Sequence, residues 1–119
     1  IQGVFTVAKK LFNLHFKEDT TIDSYHEDVK TYRVLDKDGV LVAIFYADFH
    51  PRQGKRGGAW MTSYKPQQII KTPDGLGTKN DRPHISNVCN FTKPTVTKPS
   101  LLTFNEVTTL FHEFGHGLH

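Results

Sequence analysis

The sequence predicts an α+β fragment: an N-terminal helix, a small and mostly antiparallel sheet of about four strands, and a C-terminal helix that carries the chemistry. Three observations predict it. Apolar residues recur at helical spacing near both ends of the chain. Between them lie short runs rich in β-branched and aromatic residues, punctuated by glycine and proline. The last helix opens on a capping signature and holds His112, Glu113 and His116.

The first helix falls in residues 1–14, where Val4, Ala8, Leu11 and Phe12 share one face. The sheet falls in residues 15–91. Leu14 and Phe16 alternate with Asn13, His15 and Lys17 as its first strand. Val29 to Leu35 reads as the second and ends at Asp36-Lys37-Asp38-Gly39, a hairpin turn with glycine where positive φ is wanted. Val40 to Phe49 is apolar on both alternating faces, which places it centrally in the sheet. His50 to Gly58 reads as a loop, and Gly58 to Met61 as a short extended segment. Residues 62–83 hold Pro66, Pro73, Gly75 and Gly77 and are expected to form a long surface loop, either disordered or a lid. His84 to Phe91 is a further strand, with Cys89 expected in the core. In residues 103–119, Thr103 and Glu106 form the capping box, and Val107, Leu110, Phe111, Phe114 and Leu118 the apolar stripe.

Several classes are disfavoured. At 37% hydrophobic and 23% charged residues the composition is that of a globular protein. The net charge of +3 comes from scattered lysines and arginines, so no nucleic-acid partner is expected. No apolar run reaches the length of a membrane span, so no membrane partner is expected either. A single cysteine excludes an internal disulfide and a four-cysteine metal site. No signal peptide is visible; the expected compartment is the cytoplasm, with the periplasm as the alternative. The chain begins at Ile1 and ends inside a helix at His119, so it is expected to be one fragment of a longer protein.

The sharpest feature is His112-Glu113-Phe114-Gly115-His116. Histidines four residues apart on a helix stand on one face, about 5–6 Å apart at Cβ, and both can reach one zinc ion. Glu113 lies about 100° round the helix, placed to take a proton from a water on that ion rather than to ligate it. His119 is one turn too far along the same helix to converge with the other two, and a structural or supporting role is expected. A catalytic zinc takes three protein ligands. The third is not in an obvious place, and Asp48, Glu106 and His84 are candidates on paper alone.

Those residues lie within a longer resemblance. Val88 to Pro94, Ser100 to Leu102, Glu106-Val107, and His112 to His119 resemble the thimet oligopeptidase family, and within it the bacterial peptidyl-dipeptidase (dipeptidyl carboxypeptidase) branch. Phe45-Tyr46-Ala47-Asp48-Phe49 and Gly57-Gly58-Ala59-Trp60-Met61 fit that branch too. The resemblance covers nearly the whole chain. It implies a mainly helical parent protein whose channel admits short peptides. It implies Zn2+ on His112 and His116, Glu113 as general base, and Gly58, Ala59 and Trp60 as the segment whose backbone pairs with substrate. It also implies a third ligand, a glutamate, and oxyanion-stabilising residues beyond residue 119, so the fragment by itself is expected to be inactive.

Competing readings remain. One is an endo-acting oligopeptidase with the same site. Another is a non-catalytic binding or structural module with a vestigial histidine pair. Arg52, Lys55 and Arg56 can orient a substrate carboxylate, although a solvated loop is the default. The isolated fragment is expected to expose apolar residues of its last helix, and self-association is a natural remedy.

Overall fold

The computed structural model describes residues 1–119. The chain runs α1 (Gln2–Phe12), β1 (His15–Glu18), β2 (Lys30–Leu35), β3 (Leu41–Asp48), β4 (Trp60–Lys65), β5 (Gln68–Lys71), β6 (Thr78–Asp81), β7 (His84–Val88) and α2 (Phe104–Leu118). Five strands form one sheet in the order β1-β2-β3-β7-β4, and β5 and β6 form a separate two-stranded hairpin. All pairings are antiparallel except β3 with β7. The α+β architecture is the expected one, with one more strand in the main sheet.

Local chemistry sets the elements. Asn13 takes the left-handed conformation, φ 55°, and stops α1. At the β2–β3 turn the Asp36 carboxylate accepts from the backbone N–H of Asp38 at 2.8 Å and of Val40 at 2.9 Å, and Gly39 has φ +78°. β3 sits at the centre of the sheet, as its two apolar faces require. Beyond β7 the alignment with β3 continues, as Cys89 N–H donates to Asp48 O and Phe91 N–H to Phe49 O.

Both helices cover one face of the sheet. The core there joins Val4, Phe5 and Ala8 of α1 to Phe45, Cys89, Leu110 and Phe114. Phe5 stacks on Phe16 with centroids 4.2 Å apart, and Phe114 meets the Phe45 ring edge-on at 5.6 Å. The opposite face carries a smaller cluster of Val29, Ile44 and Tyr46. Two expectations for the helices need correcting. Leu11 and Phe12 of α1 are exposed, with Phe5 buried in their stead. In α2 the buried side chains are Leu110, Glu113 and Phe114, whereas Val107, Phe111 and Leu118 stand at the surface.

The expected long loop over residues 62–83 is a correction too. β4 extends into it, and β5 and β6 fold it into a hairpin. Its tip is held by the Thr72 hydroxyl, which accepts from Gly77 N–H at 3.0 Å, and by Gly75 at φ +71°.

Candidate active site

α2 opens as its sequence dictates. The Thr103 hydroxyl accepts from Glu106 N–H at 3.2 Å, and the Glu106 carboxylate accepts from Thr103 N–H at 2.7 Å. From that fixed start, His112 and His116 emerge one turn apart on the exposed side. Their Nε2 atoms face each other at 3.0 Å, with ring planes 85° apart. Two nitrogens bound to one tetrahedral zinc at about 2.0–2.1 Å stand roughly 3.3 Å from each other. The pair is therefore close to ligand spacing with no change in the backbone. Two convergent imidazole nitrogens are also the donor type zinc prefers.

Glu113 has the opposite surroundings. It is 9% exposed and packed toward the sheet. Its one bond outside its own helix is made by its main-chain carbonyl, which accepts from Asn87 Nδ2 at 2.8 Å. The carboxylate itself has no partner in the chain. Its oxygens still reach solvent, since the buried side-chain atoms without a partner are Thr31 Oγ1 and Asn87 Oδ1. Nearby, burial and then the Glu113 charge push the Cys89 thiol up to about 12. Cys89 is a protonated core residue.

The segment Gly58-Ala59-Trp60 leads into β4, the edge strand. Trp60 pairs with Val88 on one side, and the other side of the strand is open. Asn90 Nδ2 donates to Gly58 O at 2.8 Å and to Arg56 O at 3.1 Å, which fixes the approach to the strand. Ala59 packs against the core that includes Leu110 and Phe114, and α2 contacts both β4 and β7. The open edge and the histidine helix are therefore neighbours.

One cluster has only a weak signal in the sequence. Asp48, 2% exposed, ends β3 and binds three groups. Arg52 grips both its carboxylate oxygens, at 2.7 and 3.1 Å. Lys55 Nζ reaches Asp48 Oδ1 at 2.9 Å and also donates to the carbonyls of His50 and Cys89. The Tyr25 hydroxyl donates to Asp48 Oδ2 at 2.9 Å. Burial raises the Asp48 carboxyl, but Arg52, Lys55 and Tyr25 outweigh it and hold it below the ordinary value. Arg52 and Lys55 thus form an internal strut rather than a solvated loop. The Lys55 side chain is only 3% exposed.

The candidates for a third ligand are each committed elsewhere. Asp48 is spent on two cations, Glu106 on the helix cap, and His84 Nδ1 lies 3.0 Å from the Tyr46 hydroxyl. No group of three His, Cys, Asp or Glu side chains is placed to hold a metal. His119 is exposed at the end of α2, its N–H bonded to Gly115 O.

The profile of peptidase family M3 matches residues 1–119. A dipeptidyl carboxypeptidase of Salmonella typhimurium is 45% identical over 118 residues, 99% of this chain and 16% of its own length. Oligopeptidase A of Haemophilus influenzae is 41% identical over 119 residues, 100% of this chain and 17% of its own. Saccharolysin of Saccharomyces cerevisiae is 38% identical over 126 residues, again 100% of this chain and 17% of its own. The chain belongs to peptidase family M3. It spans about a sixth of the length of these curated relatives.

Proposed function

We propose that this chain carries the metal-binding helix and the peptide-binding edge of a zinc-dependent peptidase that releases C-terminal dipeptides from short peptides. One observation carries the reading: two imidazole nitrogens converge at 3.0 Å on the helix that also carries Glu113, whose carboxylate has no hydrogen-bond partner in the fold. Membership of a peptidase family supports it, and the similarity to a dipeptidyl carboxypeptidase supports the exo-acting form. The similarity to oligopeptidase A keeps an endo-acting enzyme as the second reading.

His112 and His116 would hold the zinc ion. When bound, zinc supplies a Lewis acid for the peptide carbonyl and a water acidified to a pKa of about 7. A peptide pairs its backbone with the open edge at Gly58-Ala59-Trp60, adding a strand to the sheet. That pairing orients the scissile bond along α2. Glu113 would take the proton of the attacking water and deliver it to the leaving amine. The third metal ligand is proposed to lie outside residues 1–119, so the segment alone neither hydrolyses peptides nor holds zinc tightly.

The test uses the full-length protein. Glu113→Gln should retain bound zinc and lose about 10²–10⁴-fold in kcat, the range for a lost general base. Full activity in Glu113→Gln overturns the mechanism. Mapping the products from a peptide of eight residues separates stepwise dipeptide release from internal cleavage.

A further inference from the structure

We propose that Arg56 binds a carboxylate of the peptide lying along the β4 edge. The inference rests on the reading of Gly58-Ala59-Trp60 as the peptide-binding edge. The chain has four arginines. Three spend their guanidinium groups inside the fold. Arg33 is bonded to Asp19, Arg52 to Asp48, and Arg82 to Val42 O, Asn80 and Gln67. Arg56 donates to no group in the chain and has no carboxylate within ion-pair distance.

Arg56 is nevertheless held in place. Its guanidinium carbon stands 4.9 Å from the centroid of the Trp60 ring, at the first residue of the edge strand. Stacking occupies one face of the guanidinium and leaves its in-plane N–H fork open. That fork matches a carboxylate in the bidentate manner. The backbone below is fixed by Asn90, which holds the carbonyls of both Arg56 and Gly58. Gly57 and Gly58 follow, and a Cβ built on either meets nothing within 4 Å, so the backbone after Arg56 is uncrowded. The neighbouring charge of Lys55 is cancelled by Asp48, which leaves Arg56 as the cation of this loop that faces solvent. A cation that is uncommitted, oriented and placed beside an open strand edge is a carboxylate receptor.

A peptide offers such a group in two ways, as an acidic side chain or as its free C-terminus. Binding is measured by calorimetry on the full-length protein in the inactive Glu113→Gln background, with and without Arg56→Gln or Arg56→Lys. The probes are peptide pairs that differ by Glu against Gln at one position, and by free acid against amide at the C-terminus. Arg56→Gln should weaken the carboxylate-bearing member of one pair about tenfold, the scale of a charge-assisted bidentate contact, and leave its neutral partner unchanged. Arg56→Lys should recover only part of the loss, since an ammonium cannot reproduce the fork. The pair that responds identifies the source of the carboxylate. Equal effects on charged and neutral peptides, or no effect on either, overturn the proposal. A full-length wild type that cleaves no peptide defeats the underlying peptidase reading instead, and the two failures are distinct.

Discussion

The side-chain amide of Asn87 donates to the main-chain carbonyl of Glu113 across 2.8 Å. The bond ties β7, in the interior of the sheet, to the one buried acidic residue of α2. Asn87 is fully buried, and its Oδ1 has no partner. An apolar residue of the same volume would avoid that unpaired acceptor, so the amide is kept at a cost. It sets the height of Glu113 above the sheet. In the full-length protein, Asn87→Ala should lose about 1–3 kcal/mol of stability and about tenfold in kcat, with KM little changed. Asn87→Leu is the sharper variant, because it fills the space and removes both polar atoms. It should recover stability but not kcat. If it recovers both, the amide only fills volume.

Gly117 lets α2 approach the sheet at the same place. A Cβ there would stand 3.3 Å from Ile85 Cγ2 and 3.7 Å from Asn87 Nδ2. Ile85 is β-branched, and its methyl group has little freedom to withdraw. Alanine in a helix gains about 0.5–1 kcal/mol over glycine, but overpacking costs about 1–3 kcal/mol, so Gly117→Ala should be net destabilising. In an Ile85→Ala background the methyl is gone and the same change should become neutral or favourable. Thermal midpoints of the four proteins decide the matter. Additive effects would mean that the two residues do not meet.

The start of α2 and the convergence of its two histidines were legible because their determinants are local. Thr103 and Glu106 cap from three residues apart, and His112 and His116 converge from four. The position of β3 was legible from its two apolar faces. The supports of the site were not. Asn87 meets Glu113 across 26 residues, and Lys55 meets Cys89 across 34. Nothing in local spacing marks such pairs. The weak signal for Asp48 was a lone acid at the end of an apolar run, followed by two cations within seven residues. The β5–β6 hairpin escaped notice for a different reason. Its strands are four residues long, and Ile69 and Ile70 are both exposed, so no alternation betrays a buried face.

That hairpin supplies a prediction. Neither helix contacts it in the structure, and Leu76 near its tip is 90% exposed. Replacing residues 69–80 with Asn-Gly, a two-residue hairpin connection, keeps the Gln68–Asp81 pair and the Lys65–Asp81 ion pair. Within the isolated segment the change should alter stability by no more than about 0.5 kcal/mol, as expected for surface changes. Urea titrations of both forms provide the measurement. A larger loss would show that the hairpin braces β4.

Asp48 gives the pH dependence. Burial alone would raise its carboxyl, but Arg52, Lys55 and Tyr25 leave it below the ordinary value. Folding therefore favours the ionised form. Its contribution to stability is complete above the unfolded value of about 3.9 and is lost as pH falls through the lower folded value. The resulting acid-induced loss belongs below pH 4, not near neutrality. Asp48→Asn should cost about 3–5 kcal/mol at pH 7, since it strands the cations of Arg52 and Lys55 in a buried setting. The gap between variant and wild type should then narrow as pH drops below 4, because the wild type loses the same charge by protonation. Thermal midpoints of both proteins from pH 7 to pH 2.5 provide the check. A constant gap across that range would mean that the carboxylate acts by its shape and hydrogen bonds rather than its charge. Activity should follow stability here, because Lys55 and Arg52 hold the loop that delivers Gly58-Ala59-Trp60 to the edge of the sheet.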